Sequence, residues 1–245
     1  FESVMPRGPG RADKAAKAAD RMRAACMGFG AVPPTFSLIE SLYAELLGKL
    51  DHHFSQHPYL LGGRPCIGDF GMIAPLYGHL GRDPKPLSLM QARAVRVFRW
   101  VERMNRPEPD AGEFEVQDAS YLVDDQVPDS LVEVLKQVAI DFMPETRAAA
   151  DCINAWLEAQ KDGLAGTAAP RGVGASSFTV RGVSISALAQ PYRFYLLQRV
   201  QDEFVSLDQS ARERVRSLLA RCDMEQVLDI KLSRRIGRAN NLEVW

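Results

Sequence analysis

The longest apolar pattern in the chain runs from Cys66 to Leu80, where Asp69 is the only ionised side chain. Met72 and Leu76 occupy one side of this stretch. The other side carries apolar residues at helical spacing, namely Ile67, Phe70, Ile73, Ala74, Tyr77 and Leu80. A helix that is apolar on nearly every face is normally a buried one. The pattern therefore predicts a central helix from about 66 to 80, wrapped by other helices.

Helical periodicity also predicts elements on both sides of this stretch. The predicted helices cover 12–28, 38–56, 88–106, 129–142, 144–157, 188–205, a segment opening at Asp208 or Ser210, and 223–240. Capping boxes at Ser37 and Ser88 are predicted to begin two of them. Alternation over 178–183 predicts one short strand or hairpin. The sequence thus predicts an all-α bundle of about eight helices with a minor β element near 178–183.

Two segments combine Gly, Pro and small polar residues with few apolar anchors, namely 106–128 and 162–177. Such composition is typical of surface loops, so both are predicted to be the mobile parts of the chain. No repeat of fixed period is present. The predicted domain organisation is a helical core over 1–110, with further helices over 111–245 packed on it in the same domain.

Composition narrows the class of protein. The 245 residues are 46% hydrophobic and 25% charged, as in ordinary globular proteins. A net charge of −1 disfavours a nucleic-acid partner, and no apolar run or leader pattern predicts a membrane partner. Four widely spaced cysteines predict reduced thiols and a cytoplasmic location.

The tetrapeptide Cys66-Ile67-Gly68-Asp69 has the form of a capping box at the start of the central helix. Asp69 would accept from the backbone N–H of the cap residue, which is otherwise a buried, unpaired donor. Cys66 stands where Ser or Thr is usual, and a thiol is a weaker acceptor than a hydroxyl. Cys66 and Asp69 are therefore predicted to be structural capping residues, with Asp69 the stronger member.

The phrase PYLLGGRPCIGDF, followed by HLGRDP, resembles the C-terminal helical domain of glutathione S-transferases, over roughly 58–106. In that family the box usually reads Ser-Ile-Ala-Asp, and Asp69 is the matching carboxylate. The later run RVFRWVERM is similar to the family's Trp-x-x-Arg-Met pattern, with Trp100 and Arg103 as matching residues. The resemblance implies a helical bundle of that family's C-terminal type.

The resemblance implies glutathione as co-substrate, a small electrophile as partner, no metal cofactor and a possible homodimer. In such proteins the helical domain forms the wall of the electrophile pocket, and a thioredoxin-like domain holds glutathione. No thioredoxin-like pattern is visible, and because the first residue is Phe1, the sequence is expected to be processed, truncated or incompletely represented. Catalytic and glutathione-binding residues are therefore unknown. The alternative is a non-catalytic helical module for protein association or for binding an apolar ligand.

Other candidate residues favour structural roles. His53 and His57 have the i, i+4 spacing of a metal-binding helix, but Pro58 disfavours helical backbone at His57. His52, His53 and His57 are therefore predicted to be exposed helix-end histidines. Cys26, near a helix end, and Cys66, at a helix start, could be nucleophiles, but no His or Lys neighbours Cys66 and its position matches a structural cap. The tyrosines that could stabilise a thiolate are expected to be packing residues, namely Tyr43, Tyr77 and Tyr192. A solvated face of the last helix is predicted for Lys231, Arg234, Arg235 and Arg238.

Overall fold

The structure, a computed structural model, describes residues 1–114, 118–160 and 163–245. Helices make up 59% of it and strands 9%, which confirms the predicted helical fold with a minor β element. The α-helices in the described part of the chain are α1 (Arg11–Gly28), α2 (Pro33–His53), α3 (Ile67–Pro75), α4 (Pro84–Arg93), α5 (Val95–Met104), α6 (Asp129–Asp141), α7 (Met143–Ala159), α8 (Tyr192–Ser206) and α9 (Gln209–Arg221). Two antiparallel hairpins pair β1 (Ala175–Val180) with β2 (Val183–Leu188) and β3 (Gly237–Ala239) with β4 (Leu242–Val244).

The chain divides into two compact units. Unit 1 contains Phe1–Ile39, Ile140–Ala220 and Met224–Trp245, and unit 2 contains Glu40–Ala139 and Arg221–Asp223. The predicted division at residue 110 stays a prediction. Parts of the two predicted mobile loops, residues 115–117 and 162, lie outside the described residues.

Unit 2 is built around the indole of Trp100, which is fully buried on α5. The ring of Phe54 stacks on it with centroids 5.2 Å apart. Apolar side chains from α2 and α3 to α6 complete this core, among them Leu47, Leu50, Leu76, Met90, Val97 and Leu131. Each of these elements contributes one apolar side to the same interior, as expected for packed amphipathic helices.

Unit 1 has a separate core on one side of α7, formed with residues of α8 and of the C-terminal segment. Its buried members include Met143, Ala149, Ile153, Phe194, Ile230 and Ile236. The rings of Trp156 and Trp245 pack beside them, with centroids 5.8 Å apart. The β1–β2 hairpin turns at Arg181 and Gly182, both with positive φ, as a two-residue hairpin requires. The minor β element is thus a hairpin that extends beyond the predicted 178–183.

Several predicted helix boundaries are wrong. The capping boxes at Ser37 and Ser88 lie inside helices, which begin instead at Pro33 and Pro84. Proline is well suited to the first turn of a helix because its nitrogen needs no hydrogen-bond partner there. The predicted helix over 88–106 is two helices, α4 and α5, separated at Ala94.

The helix that begins after Ala94 is capped by a residue elsewhere in unit 2. The carboxylate of Asp51 on α2 accepts from the backbone N–H of Arg96 at 2.7 Å and from its guanidinium at 2.9 Å. This carboxylate satisfies one of the free N–H groups in the first turn of α5. A cap supplied 45 positions away in the sequence leaves no local signal.

The predicted last helix over 223–240 is also wrong. This segment contains a short 3₁₀ turn at Glu225–Leu228 and then the β3–β4 hairpin. Two buried amides on α8 take up its backbone groups. Gln201 donates to the carbonyls of Val227 and Ile230 at 2.8 and 2.9 Å, and Gln198 exchanges hydrogen bonds with both backbone groups of Ile236. These side chains replace helical hydrogen bonds that the local sequence would otherwise favour.

Candidate functional site

An exposed apolar surface follows α3 and the π-helical turn Leu76–Leu80 that continues it. Ile67 is 89% exposed, Phe70 60% and Tyr77 40%. Gly71, Ala74 and Gly78 are exposed on the same side of the helix. These six residues form what we call the α3 face. The prediction of a helix buried on all sides is therefore wrong in the structure.

The opposite side of the same helix is buried. Leu76 is 4% exposed, and Met72, Ile73 and Leu80 pack against the core around Trp100. The apolar pattern thus has two different causes, because one side fills the core of unit 2 and the other lies at the surface. A contiguous apolar patch on a protein surface commonly marks an interaction site. Sequence periodicity shows that both sides are apolar and cannot distinguish the two environments.

Asp69 fixes which side of α3 faces inward. Its carboxylate is fully buried and accepts three hydrogen bonds. Oδ2 accepts from the N–H of Cys66 at 2.9 Å, and Oδ1 accepts from the N–H of Leu60 at 3.2 Å and the indole N–H of Trp100 at 2.9 Å. With both oxygens engaged by buried donors, this carboxylate has no free face for a substrate.

Cys66 occupies the N-cap position of α3. The backbone of Asp69 faces its sulfur in the capping-box arrangement, without forming a regular side-chain hydrogen bond. Burial raises the pKa of the Cys66 thiol. A neutral thiol is a poor nucleophile, so this environment does not activate Cys66 for chemistry.

Arg103 is a second buried contact to the segment before α3. Its guanidinium donates to the carbonyl of Pro58 at 2.9 Å and to the carboxylate of Glu113 at 3.0 Å. The Tyr59 hydroxyl in turn donates to the Asp110 carbonyl and accepts from its N–H, at 3.0 and 2.9 Å. These bonds anchor residues 110–113 of the predicted mobile loop to unit 2.

The two glycines before Arg64 admit another stretch of chain. The N–H of Gly63 donates to the carbonyl of Ser120 at 2.8 Å, and the N–H of Leu122 donates to the carbonyl of Leu61 at 2.9 Å. A Cβ on Gly63 would lie 2.0 Å from the Asp118 carbonyl oxygen, which no side chain can occupy. The Gly-Gly pair is therefore explained by close backbone packing.

Two arginines border the α3 face. The guanidinium of Arg82 lies 5.7 Å from the ring centroid of Tyr77, at the C-terminal end of the face. The guanidinium of Arg64 lies 5.0 Å from the ring of Tyr121, and the Tyr121 hydroxyl donates to the carbonyl of Pro65, just before Ile67. Neither arginine forms a salt bridge with any residue that the structure describes. The face thus has apolar residues along its length and an arginine near each end.

The histidines do not form a metal site. His53 is fully buried, and its Nδ1 lies 2.9 Å from the Ser130 hydroxyl. Burial, with a smaller effect of His57, lowers the pKa of His53 to about 4. The prediction that all three helix-end histidines are exposed is therefore wrong for His53 and for His57, which is half-buried, and holds for His52. Among residues 1–114, 118–160 and 163–245, no cluster of three or more His, Cys, Asp or Glu side chains could hold a metal ion.

The remaining candidates are dispersed. Tyr43 donates weakly to the Pro86 carbonyl, Tyr192 stacks on Tyr195, and Cys26 lies exposed at the end of α1. The predicted basic helix face does not form, since its members lie in the segment after the 3₁₀ turn, where Arg235 pairs with Asp202 of α8 at 2.5 Å. The others in that segment are Lys231, Arg234 and Arg238. No catalytic constellation results from these placements.

Unit 1 contains a groove of about 590 Å³ between α8, α9 and the 3₁₀ turn. Its floor is apolar, with Phe204, Leu219 and Leu228. Its charged lining residues are of both signs, namely Arg216, Lys231, Glu225 and Asp229. The lining therefore carries no net formal charge that would indicate a class of ligand.

Comparison of the chain with protein-family models, curated proteins and solved structures gives no significant match. The resemblance over 58–106 therefore stays a prediction from the sequence. No helix of the described residues is both long and apolar enough to cross a membrane.

Proposed function

We propose that this chain is a helical protein-association module and that the α3 face is its docking surface. The observation that carries the proposal is the exposure of Ile67, Phe70 and Tyr77 on one side of a helix whose opposite side is firmly packed. Exposing three large apolar side chains in one row is unfavourable in water unless a partner covers them.

The free energy available from this face is moderate. Burying three such side chains contributes roughly 3–6 kcal/mol in gross terms, since part of each is already covered. Association costs about 4–15 kcal/mol in lost translational and rotational freedom. Apolar contact alone therefore supports a weak complex, and a tighter one needs polar contacts at the border of the face.

Photocrosslinking tests the proposal. A benzophenone amino acid in place of Phe70 is expected to crosslink a discrete protein in cells of the source organism, and the same substitution at Phe36, which is 49% exposed on α2, serves as the control. The crosslinked protein, once purified, is expected to bind the parent chain and to bind Phe70→Ser at least tenfold more weakly. Equal crosslinking at positions 36 and 70, or equal binding to the parent and to Phe70→Ser, would contradict the proposal.

A glutathione S-transferase-like function is the second candidate. It is favoured by the bonding of Asp69 to Cys66 and Trp100, because these residues carry the sequence resemblance. In this case the α3 face contributes the apolar wall for an electrophile, and conjugation or thiol transfer by glutathione takes place against a domain that holds glutathione. Among the residues of the candidate site, none forms a recognisable site for the γ-glutamyl or cysteinyl part of glutathione.

Calorimetric titration tests whether a glutathione site lies within this chain. We expect this 245-residue chain alone to bind glutathione weakly or not at all. A micromolar dissociation constant would locate a glutathione site within the chain and would favour the transferase over the association module. The matched control is S-methylglutathione, which carries the same charged groups without a free thiol.

A further inference from the structure

We infer that the α3 face receives an amphipathic helix of another protein that carries Asp or Glu beside its apolar stripe. This inference rests on the proposed function and specifies the chemistry of the partner. It depends on three features of the face, namely its shape, its two exposed glycines and the arginine at each of its ends.

The shape of the face suits an elongated partner. Ile67 and Tyr77 are ten residues apart, which corresponds to roughly 15 Å along a helix. At about 100° per residue, Phe70 and Tyr77 project along one edge of the stripe, and Ala74, Gly78 and Gly71 lie beside them. Ile67 lies among these small residues at the N-terminal end of the stripe. A partner helix can place its apolar side chains over these small residues and rest against Phe70 and Tyr77, as ridges fit into grooves.

The chain itself gives no packing reason for the two glycines. A Cβ added at Gly71 or at Gly78 would meet no heavy atom within 4 Å. Both glycines lie within helical turns, where glycine is less favourable than alanine by up to about 1 kcal/mol. Their absence of side chains is useful to a partner whose backbone approaches α3 closely.

The charge at the ends selects the partner's chemistry. Arg64 and Arg82 stand at opposite ends of the face, and neither forms a salt bridge with a carboxylate of the described residues. Carboxylates on an approaching helix would therefore meet a positive charge at either end. Such pairs at the border of an interface favour the matching partner and speed its association.

The same charges disfavour two other occupants. If a second copy of this chain docked through its own α3 face, an antiparallel arrangement would place Arg64 beside Arg82, and a parallel one would pair each arginine with itself. Both arrangements bring like charges together, which opposes association. A membrane surface would match the positive charge, but three of the six residues of the face are Gly or Ala, which offer little apolar area for insertion into lipid.

Fluorescence anisotropy with three synthetic peptides tests the inference. Each peptide is a helix of about 18 residues with one leucine stripe, and the positions beside the stripe carry Glu in the first, Gln in the second and Lys in the third. We expect affinity for the parent chain to fall from the Glu peptide to the Gln peptide to the Lys peptide. We expect 0.5 M salt to reduce these differences, because it screens charges beyond about 4 Å.

Variants assign the preference to particular residues. Arg64→Gln and Arg82→Gln are each expected to weaken the Glu peptide about threefold at low salt and to leave the Gln peptide unchanged. Arg199→Gln, an exposed arginine on α8, is the control for net charge and is expected to have no effect. Phe70→Ser is expected to weaken all three peptides at least tenfold.

The outcomes separate this inference from the proposed function. Equal affinity for the three peptides, lost in Phe70→Ser, would overturn the acidic preference and support the docking face. Binding of no peptide above the Phe70→Ser background would overturn the inference, while the crosslinking experiment judges the proposed function independently. Dimerisation in sedimentation, or binding to phosphatidylserine vesicles, would overturn the helical partner if Phe70→Ser abolished it.

Discussion

The indole N–H of Trp100 donates a hydrogen bond of 2.9 Å to the carboxylate of Asp69, across 31 positions of the sequence. Both side chains are fully buried. The bond joins the middle of α5 to the first turn of α3, and the same carboxylate holds the N–H groups of Leu60 and Cys66. One buried charge therefore fixes the rotation of α3 and, with it, the side of the helix that stays at the surface.

Removing this carboxylate tests its structural role. We expect Asp69→Ala to lower the free energy of unfolding by on the order of 3 kcal/mol, because it leaves three buried donors without an acceptor. Urea denaturation of the variant beside the parent measures the change. Cys66→Ser is the matched control in the same capping box, and we expect it to be neutral or slightly stabilising because a hydroxyl is the better acceptor.

A double-mutant cycle with Trp100→Phe isolates the contact between the two side chains. We expect the combined loss in Asp69→Ala, Trp100→Phe to be smaller than the sum of the single losses, since either change already breaks the bond. An unchanged denaturation midpoint for Asp69→Ala would contradict the structural role and favour a functional carboxylate.

Gly63 gives a second prediction about unit 2. We expect Gly63→Ala to be severely destabilising, by roughly 3 kcal/mol or more, because a Cβ would clash with a backbone carbonyl that cannot move without breaking the Ser120 hydrogen bond. Thermal unfolding followed by circular dichroism measures the effect. A melting temperature within a degree of the parent would show that residues 118–122 do not pack on Gly63.

Gly71 gives the opposite prediction. We expect Gly71→Ala to raise the free energy of unfolding by roughly 0.5–1 kcal/mol, because alanine is the better helix former and its Cβ meets nothing within 4 Å. Urea denaturation checks the gain. A loss of stability would mean that the chain itself covers this position, which would remove the α3 face as an open surface.

Part of this arrangement could be predicted from the sequence. The Cys66-Ile67-Gly68-Asp69 tetrapeptide and the apolar period around it are local, so they indicate a helix that begins at the residue following Cys66. Which side of α3 faces the core could not be predicted. Both sides are apolar, and the hydrogen bond from Trp100 to Asp69 is what distinguishes them. The local periodicity of a single sequence gives no signal for a contact between residues 31 positions apart.

Other errors have the same physical origin. Ala94 interrupts a run of helical periodicity because Asp51 caps α5 from another helix. The segment after Met224 has helix-forming residues, but Gln198 and Gln201 bind its backbone from α8. In each case a distant polar side chain takes over a backbone group and overrides the local preference. The sequence shows aromatic residues in α3 and arginines on either side of it. It does not show that these side chains are exposed.

His53 predicts a dependence of stability on pH. The imidazole is fully buried beside Phe54 and His57, Nδ1 lies against the Ser130 hydroxyl, and Nε2 has no partner among the described residues. Charging this ring would place a cation in the core of unit 2, and the nearby backbone of Tyr59 and Leu60 offsets the cost of its burial only in part. Burial therefore lowers the pKa of His53 from its ordinary 6.5 to about 4 in the folded chain.

The sign of the effect follows from the lowered pKa of this base. Between pH 6.5 and pH 4 the unfolded chain binds a proton at His53 and the folded chain does not, so stability rises with pH across this window. We expect lowering the pH from about 6.5 to about 4 to cost roughly 3 kcal/mol of unfolding free energy from this residue alone. Urea denaturation at several pH values measures the slope, and His53→Leu is expected to flatten it. His79→Gln removes an exposed histidine and is expected to keep the slope of the parent. An NMR titration in which His53 of the folded chain protonates near pH 6.5 would contradict the prediction, because a histidine with the same pKa in both states contributes no pH dependence.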